Sequence, residues 1–128
     1  MIYTPKVVVF KSDESAPVLL NCKDRFEVDI ITCAAPVIYS NYDSDKYEKV
    51  MTSRIKRILE VAKKEKVEVL ILGAFGCGAF NNPPEVVARI FKEMLQKYHF
   101  EKVEFAVFCR EKSPSDNYNV FKDIIIGL

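Results

Sequence analysis

The residues that concentrate chemistry in this 128-residue chain run from Gly73 to Glu85: Gly73-Ala74-Phe75-Gly76-Cys77-Gly78-Ala79-Phe80-Asn81-Asn82-Pro83-Pro84-Glu85. Three of the four glycines fall here, the fourth being Gly127. Glycine lets a backbone enter left-handed conformations or come close to another group where a side chain would intervene. The segment also runs into a helix. Asn82 suits the N-cap, Pro83 suits the first helical position, where its missing N–H costs nothing, and Glu85 falls at the third. Unpaired amides at the positive end of a helix dipole hold phosphate without a lysine. The stretch therefore predicts an anion site, and a pyrophosphate fits it. A tight strand-to-helix turn is the bland use of the same glycines.

Two other nucleotide patterns fail on these residues. A P-loop ends in Gly-Lys-Ser/Thr, where this loop has Ala79-Phe80-Asn81. A Rossmann turn needs GxGxxG on the first strand and an acidic residue ~20 positions later, whereas the spacing here is GxxGxGxF on a later strand. Cys77 sits where a helix end lowers a thiol pKa. No histidine lies near it in sequence, and the one histidine, His99, falls at the far end of the next helix, so a structural or backbone-positioning use is expected. The four cysteines, Cys22, Cys33, Cys77 and Cys109, form no CxxC pair, which argues against a zinc site or a disulfide framework. Free buried thiols in a reducing compartment are expected, and with them a cytoplasmic protein without metal or cofactor. Tyr39, Asn41 and Tyr42 read as a polar turn with partly buried rings.

The elements that must position this loop can be read from periodicity. Lys6 to Phe10 reads as a strand, Val18 to Cys22 as a short one, and Val28 to Cys33 as an apolar run suited to a strand covered on both faces. Tyr47, Met51, Ile55, Ile58, Leu59 and Ala62 recur at three- and four-residue steps and predict a helix from Ser44 to Glu65, with Asp43 or Ser44 as cap. Val67 to Leu72 is the strand that feeds the loop. A helix from Pro83 carries Val87, Phe91 and Leu95 on one line, with Val86, Ile90 and Met94 beside it. Val103 to Phe108 is a further strand. Beyond a turn at Ser113-Pro114-Ser115, Asn117 to Ile126 closes the chain as a helix, Ile124 to Ile126 being the alternative strand. Strand, helix, strand, helix, strand implies parallel crossovers around one sheet, an α/β fold.

Composition sets bounds. A length of 128 residues, without repeat or linker, predicts one domain over 1–128. The net charge of +1 leaves no field to steer a long polyanion, and Lys63, Lys64 and Lys66 lie where a helix end welcomes cations. Nucleic acid is not an expected partner. No apolar run approaches the ~20 residues of a membrane span.

Taken in order, these residues resemble the C-terminal part of the microbial type of poly(ADP-ribose) glycohydrolase, a branch of the macrodomain family. The segments that match are Tyr3 to Phe10, Val28 to Pro36, Arg54-Ile55 with Ile58-Leu59 and Ala62, Val69 to Phe80, Asn82-Pro83-Pro84 with Val87-Ala88, Val103 to Val107, and Phe121. The Gly-Ala-Phe-Gly-Cys-Gly-Ala-Phe block is the specific one. The resemblance implies a macrodomain-like three-layer α/β/α fold with a mostly parallel central sheet and a cleft for ADP-ribose. It implies that Gly76, Cys77, Gly78 and Ala79 wrap the diphosphate and distal ribose, with Phe80 packed on that ribose, and Gly73 and Phe75 are expected among the ligand-binding residues. Ala34, Ala35 and Pro36 would border the cleft, and Asn117, Tyr118 or Phe121 would shape its adenine end.

In that family a Gly-Gly-Gly stretch followed by Gln-Glu-Glu supplies the acid for glycosidic cleavage, and it precedes the first matched strand. This sequence has no such motif. The expected function is thus binding of ADP-ribose or a related NAD-derived nucleotide, free or attached to a partner protein, without efficient glycohydrolysis. The alternatives are a hydrolase using other residues or completed by a second chain, and an interaction protein that has lost the ligand.

Overall fold

Four strands and three helices are found in the computed structural model, which describes residues 1–109 and 116–126. The chain divides into two units, Met1–Cys33 and Ala34–Leu128. The first is built on β1 (Ile2–Val9) and β2 (Phe26–Thr32), paired antiparallel. The register shifts between Thr4 and Val7, where Lys6 takes a φ of 55°. The Asp29 carboxylate holds that irregularity: it accepts from the Lys6 backbone N–H at 2.8 Å and from the Tyr3 hydroxyl.

Two expectations for this unit change. Val18 to Cys22 is not a strand: only a single bridge, Lys11 with Leu19, forms there, and Cys22–Asp24 makes one 3-10 turn. The polar turn before it closes through Ser12 N–H to Val18 O and Leu20 N–H to Phe10 O. Nor is β2 covered on both faces, since only Val28 and Ile31 are half-buried and Ile30 is exposed. A continuous apolar run could not separate one-sided from two-sided cover.

In the second unit, Asp43 caps α1 (Ser44–Lys64), its carboxylate accepting from Lys46 N–H at 3.0 Å. The buried residues of α1 are Tyr47, Met51, Ile55, Ile58, Leu59 and Ala62, the predicted stripe. The helix closes with Lys66 at φ 57° and Val67 N–H on Ala62 O, the left-handed closure that usually employs glycine. β3 (Val69–Leu72) pairs in parallel with β4 (Lys102–Phe105), Leu70 opposite Val103 and Leu72 opposite Phe105. Leu70 and Leu72 are buried, whereas Val69 and Ile71 on the other face are exposed.

α2 (Pro84–Leu95) buries Val87, Ala88, Ile90, Phe91, Met94 and Leu95 and packs against α1 and against α3 (Asn117–Ile125). Phe105 meets Phe91 edge-on at 5.3 Å and Phe121 at 5.7 Å, so strand and both helices share one aromatic cluster. Each such pair adds about 0.5–1.5 kcal/mol beyond burial. Ile124 and Ile125 end α3 and do not form a strand. The turn expected at Ser113-Pro114-Ser115 lies outside the described residues. The fold class is mixed α/β, with its strands paired as two two-stranded sheets, one antiparallel and one parallel.

Candidate functional site

β3 delivers the chain into the glycine loop at the carboxyl end of the parallel pair, where open α/β sheets bind ligands. Ala106 N–H on Leu72 O, at 2.7 Å, extends the ladder by one step before the chains part. Three backbone bonds then shape the loop: Cys77 N–H to Ala74 O, Asn81 N–H to Gly78 O, and Asn82 N–H to Gly76 O, each at 3.0–3.1 Å. Gly76 has a φ of 77° and Asn81 one of 55°. The N–H groups of Gly78, Ala79 and Phe80 meet no acceptor among the described residues.

The three glycines are not equivalent. A Cβ at Gly76 would lie 2.4 Å from both Ala35 Cβ and Asn82 Nδ2, so the fold itself demands glycine there. A Cβ at Gly73 would make an ordinary 3.7 Å contact with Ala106 O. At Gly78 it would meet nothing within 4 Å. Neither a left-handed φ nor crowding by the described residues accounts for that glycine.

Beside Gly78 opens a cavity of about 520 Å³, lined by Ala74, Gly78, Ala79, Ala106, Val107, Phe108, Asp116 and Asn117. That volume lies within the ~300–1,000 Å³ of small-molecule sites. Asn117 Nδ2 donates to Cys77 O at 3.2 Å and so ties the start of α3 to the loop. The helix that lends its first residues to the cavity is thus α3, where the sequence pointed to α2. The expected cap of α2 differs as well. Pro83 is the N-cap, no side chain caps this end, and the Asn82 side chain turns inward instead.

Of the other expected site residues, Ala35 is buried against Gly76, and Pro36 gives its carbonyl to Asn82 at 2.8 Å. Ala34 is exposed and its carbonyl accepts from Arg54. Ile38 N–H donates to Phe80 O at 3.1 Å, which joins the 34–38 segment to the loop again. Phe75 is half-buried, and Phe80 is 38% exposed. Phe121 does not reach the cavity. It is 2% exposed and packs on Phe105, because the helix face that carries it is the core face.

Ala106, Val107, Phe108 and Asp116 were not foreseen. The apolar run was read as strand through Phe108, but β4 stops at Phe105, and the next three residues turn to the cavity. The signal was available: if ligands sit past the ends of parallel strands, residues after β4 belong with those after β3. Among the described lining residues Asp116 is the one carboxylate, and its Oδ2 is buried with no hydrogen-bond partner among them. The Cys109 thiol bonds to this carboxylate, which raises the thiol pKa.

The setting of Cys77 favours the protonated thiol. Burial, with Glu85 adding to it, pushes its thiol up to about 12, and its Sγ lies 3.8 Å from Phe75 O. A protonated thiol cannot attack at neutral pH. The four cysteines are less buried than expected: Cys22 and Cys109 are exposed, Cys33 and Cys77 half-buried. Among the described residues, no group of three His, Cys, Asp or Glu side chains is placed to hold a metal ion, and no helix is long and apolar enough to cross a membrane.

Comparison with curated proteins gives no match. Among solved structures, the poly(ADP-ribose) glycohydrolase of Deinococcus radiodurans in complex with ADP-ribose is 33% identical with a TM-score of 0.81, covering 96% of this chain and 51% of that one. The poly(ADP-ribose) glycohydrolase of Thermomonospora curvata, bound to the inhibitor ADP-HPD, is 29% identical with a TM-score of 0.83, covering 94% and 47%. The chain spans about half the length of these structures. The sequence pattern of the Macro domain matches residues 24–91, more than half of the chain, and takes in α1, β3, the glycine loop and most of α2. With the architecture in agreement, the chain belongs to the Macro domain family.

Proposed function

We propose that this protein binds ADP-ribose or a related NAD-derived nucleotide, free or carried on a partner protein, with the diphosphate on the 76–80 loop. The observation that carries this reading is Gly78. Among the described residues nothing calls for a glycine there, it borders a cavity of nucleotide size, and it begins a run of three N–H groups that meet no acceptor among those residues. Those amides offer donors to phosphate oxygens, and the missing Cβ lets the ligand approach the backbone. Asn117 and Phe108 would flank the nucleoside. Asp116 repels phosphate and would instead accept from a hydroxyl or amino group there. Ala35 and Pro36 support the loop from behind. The solved relative that holds ADP-ribose supports the choice of ligand.

The first reading is of binding without hydrolysis. A second reading, an ADP-ribosyl hydrolase using other residues or completed by another polypeptide, is favoured by the likeness to solved glycohydrolases. Titration calorimetry with ADP-ribose on the wild type and on Gly78→Val tests the first. Micromolar binding lost in the variant, with thermal unfolding unchanged, supports it; no binding at millimolar ligand overturns it. Release of ADP-ribose from ADP-ribosylated protein by this chain alone would overturn the view that it lacks hydrolysis.

A further inference from the structure

We propose that Asn82 is a positioning residue that presets the ligand loop by fastening it to the 34–36 segment, an inference that rests on the ADP-ribose reading of that loop. Asn82 is 2% exposed and is the one buried polar residue among those described. Its Nδ2 donates to Pro36 O and to Gly76 O, both at 2.8 Å, with Phe80 O at 3.4 Å. The amide has two protons, and the two short contacts use both. Its backbone N–H adds a further bond to Gly76 O at 3.1 Å.

The partners explain the residue type. All three side-chain contacts are carbonyl oxygens, so the position calls for a donor, and the Oδ1 is left buried with no partner. A fold that tolerates an unsatisfied acceptor there retains Asn82 for its NH2 group. Aspartate, of the same shape, would bring two oxygens against those carbonyls. The consequence falls on the ligand side. Carbonyls gathered inward by Asn82 cannot face an anion, and Gly78 and Ala79 are left to wall the cavity with their N–H groups unused. Gly76 completes the fit, because only a missing Cβ lets Asn82 Nδ2 and Ala35 come so close. The loop is thereby ordered before ligand arrives, and the ordering entropy is not charged to binding.

The test is Asn82→Asp, with two readouts: ADP-ribose affinity by calorimetry and amide hydrogen exchange by NMR. The amides of Cys77, Asn81 and Ile38, each bonded within this junction, report on the loop. The amide of Leu59 in α1 reports on the core. Expected are a loss of affinity of at least tenfold and faster exchange at Cys77, Asn81 and Ile38, with Leu59 unchanged. Affinity within twofold of wild type, or loop exchange as slow as in wild type, overturns the proposal. If Asn82→Asp does not fold, the ligand-free wild type decides: protected amides at Cys77 and Asn81 support a preset loop, and exchange at free-peptide rates overturns it. A wild type that fails to bind ADP-ribose refutes the functional reading alone, because the exchange measurements still judge the clamp.

Discussion

Gly76 and Ala35 touch across 41 residues of sequence, so closely that a Cβ on the glycine would stand 2.4 Å from the Cβ of the alanine. The same Cβ would stand 2.4 Å from Asn82 Nδ2, and the backbone at Gly76 already has a φ of 77°. Gly78, two residues on, has neither restraint. One loop therefore contains a glycine that the fold requires and a glycine that the described residues leave unrestrained, which the proposed function assigns to the ligand.

This contrast predicts opposite phenotypes. Gly76→Ala should destabilise by about 2–4 kcal/mol, combining an overpacked contact with a left-handed alanine. Gly78→Val should change stability by no more than about 0.5 kcal/mol, as at other open surface positions, while ADP-ribose affinity falls more than tenfold. Urea denaturation and calorimetry on the two variants check this. Equal stability losses at both positions would refute the division.

Cys77 gives a prediction in pH. Its thiol ionises near 9.0 by ordinary chemistry but only near about 12 in the folded protein, first through burial and then through Glu85. Below pH 9 both states keep the proton and the contribution is constant. Between 9 and 12 the unfolded chain sheds it and the folded chain does not, so stability declines as pH rises through that window. Cys77→Ala should therefore flatten the alkaline limb of the urea midpoint measured from pH 8 to 10.5, and alkylation of the wild type at pH 8 should mark exposed Cys22 before Cys77. Parallel limbs for wild type and variant would contradict the assignment.

What the sequence could and could not convey follows from these same residues. The α1 stripe was legible to the residue, because helical period and core face are one signal. The glycine loop was legible as composition and as resemblance, but its bond to Asn117 and the different surroundings of Gly76 and Gly78 were not, since what a side chain or a Cβ would strike is a tertiary fact. Asn82 was misread as a cap for that reason: an asparagine before two prolines looks like a helix start, and its true partner, Pro36 O, lies 46 residues away. Phe108 was read as the end of a strand and Phe121 as a cleft residue, whereas Phe108 lines the cavity and Phe121 is buried, because apolar runs give no sign of which ring faces a cavity.

Asp29 offers an acid-side counterpart in the first unit. The Tyr3 hydroxyl, then the Lys6 N–H, hold its carboxyl below the ordinary 3.8. A carboxylate so depressed contributes fully above 3.8, and the contribution is lost as pH falls through the lower folded value. An NMR titration of the Asp29 carboxyl carbon should give a midpoint below 3.8 in the wild type. In Tyr3→Phe it should move back towards 3.8, with the Lys6 N–H and the Lys6 charge remaining. A midpoint indifferent to Tyr3 would remove this account of how the β1 irregularity is held.

Phe121 and Phe108 separate core from site. Phe121 is 2% exposed and, through Phe105, belongs to the cluster joining β4, α2 and α3. Phe121→Ala should thus cost about 3–5 kcal/mol and Phe121→Leu less than about 1.5 kcal/mol. The leucine variant should keep wild-type affinity for ADP-ribose, because the ring does not line the cavity. Phe108, 77% exposed and part of the lining, should behave in reverse. Phe108→Ala should lower affinity several-fold and change stability by no more than about 0.5 kcal/mol. Thermal unfolding and calorimetry on the Phe121→Leu and Phe108→Ala variants decide the matter, and loss of binding in Phe121→Leu with Phe108→Ala unaffected would return the adenine end of the cleft to Phe121.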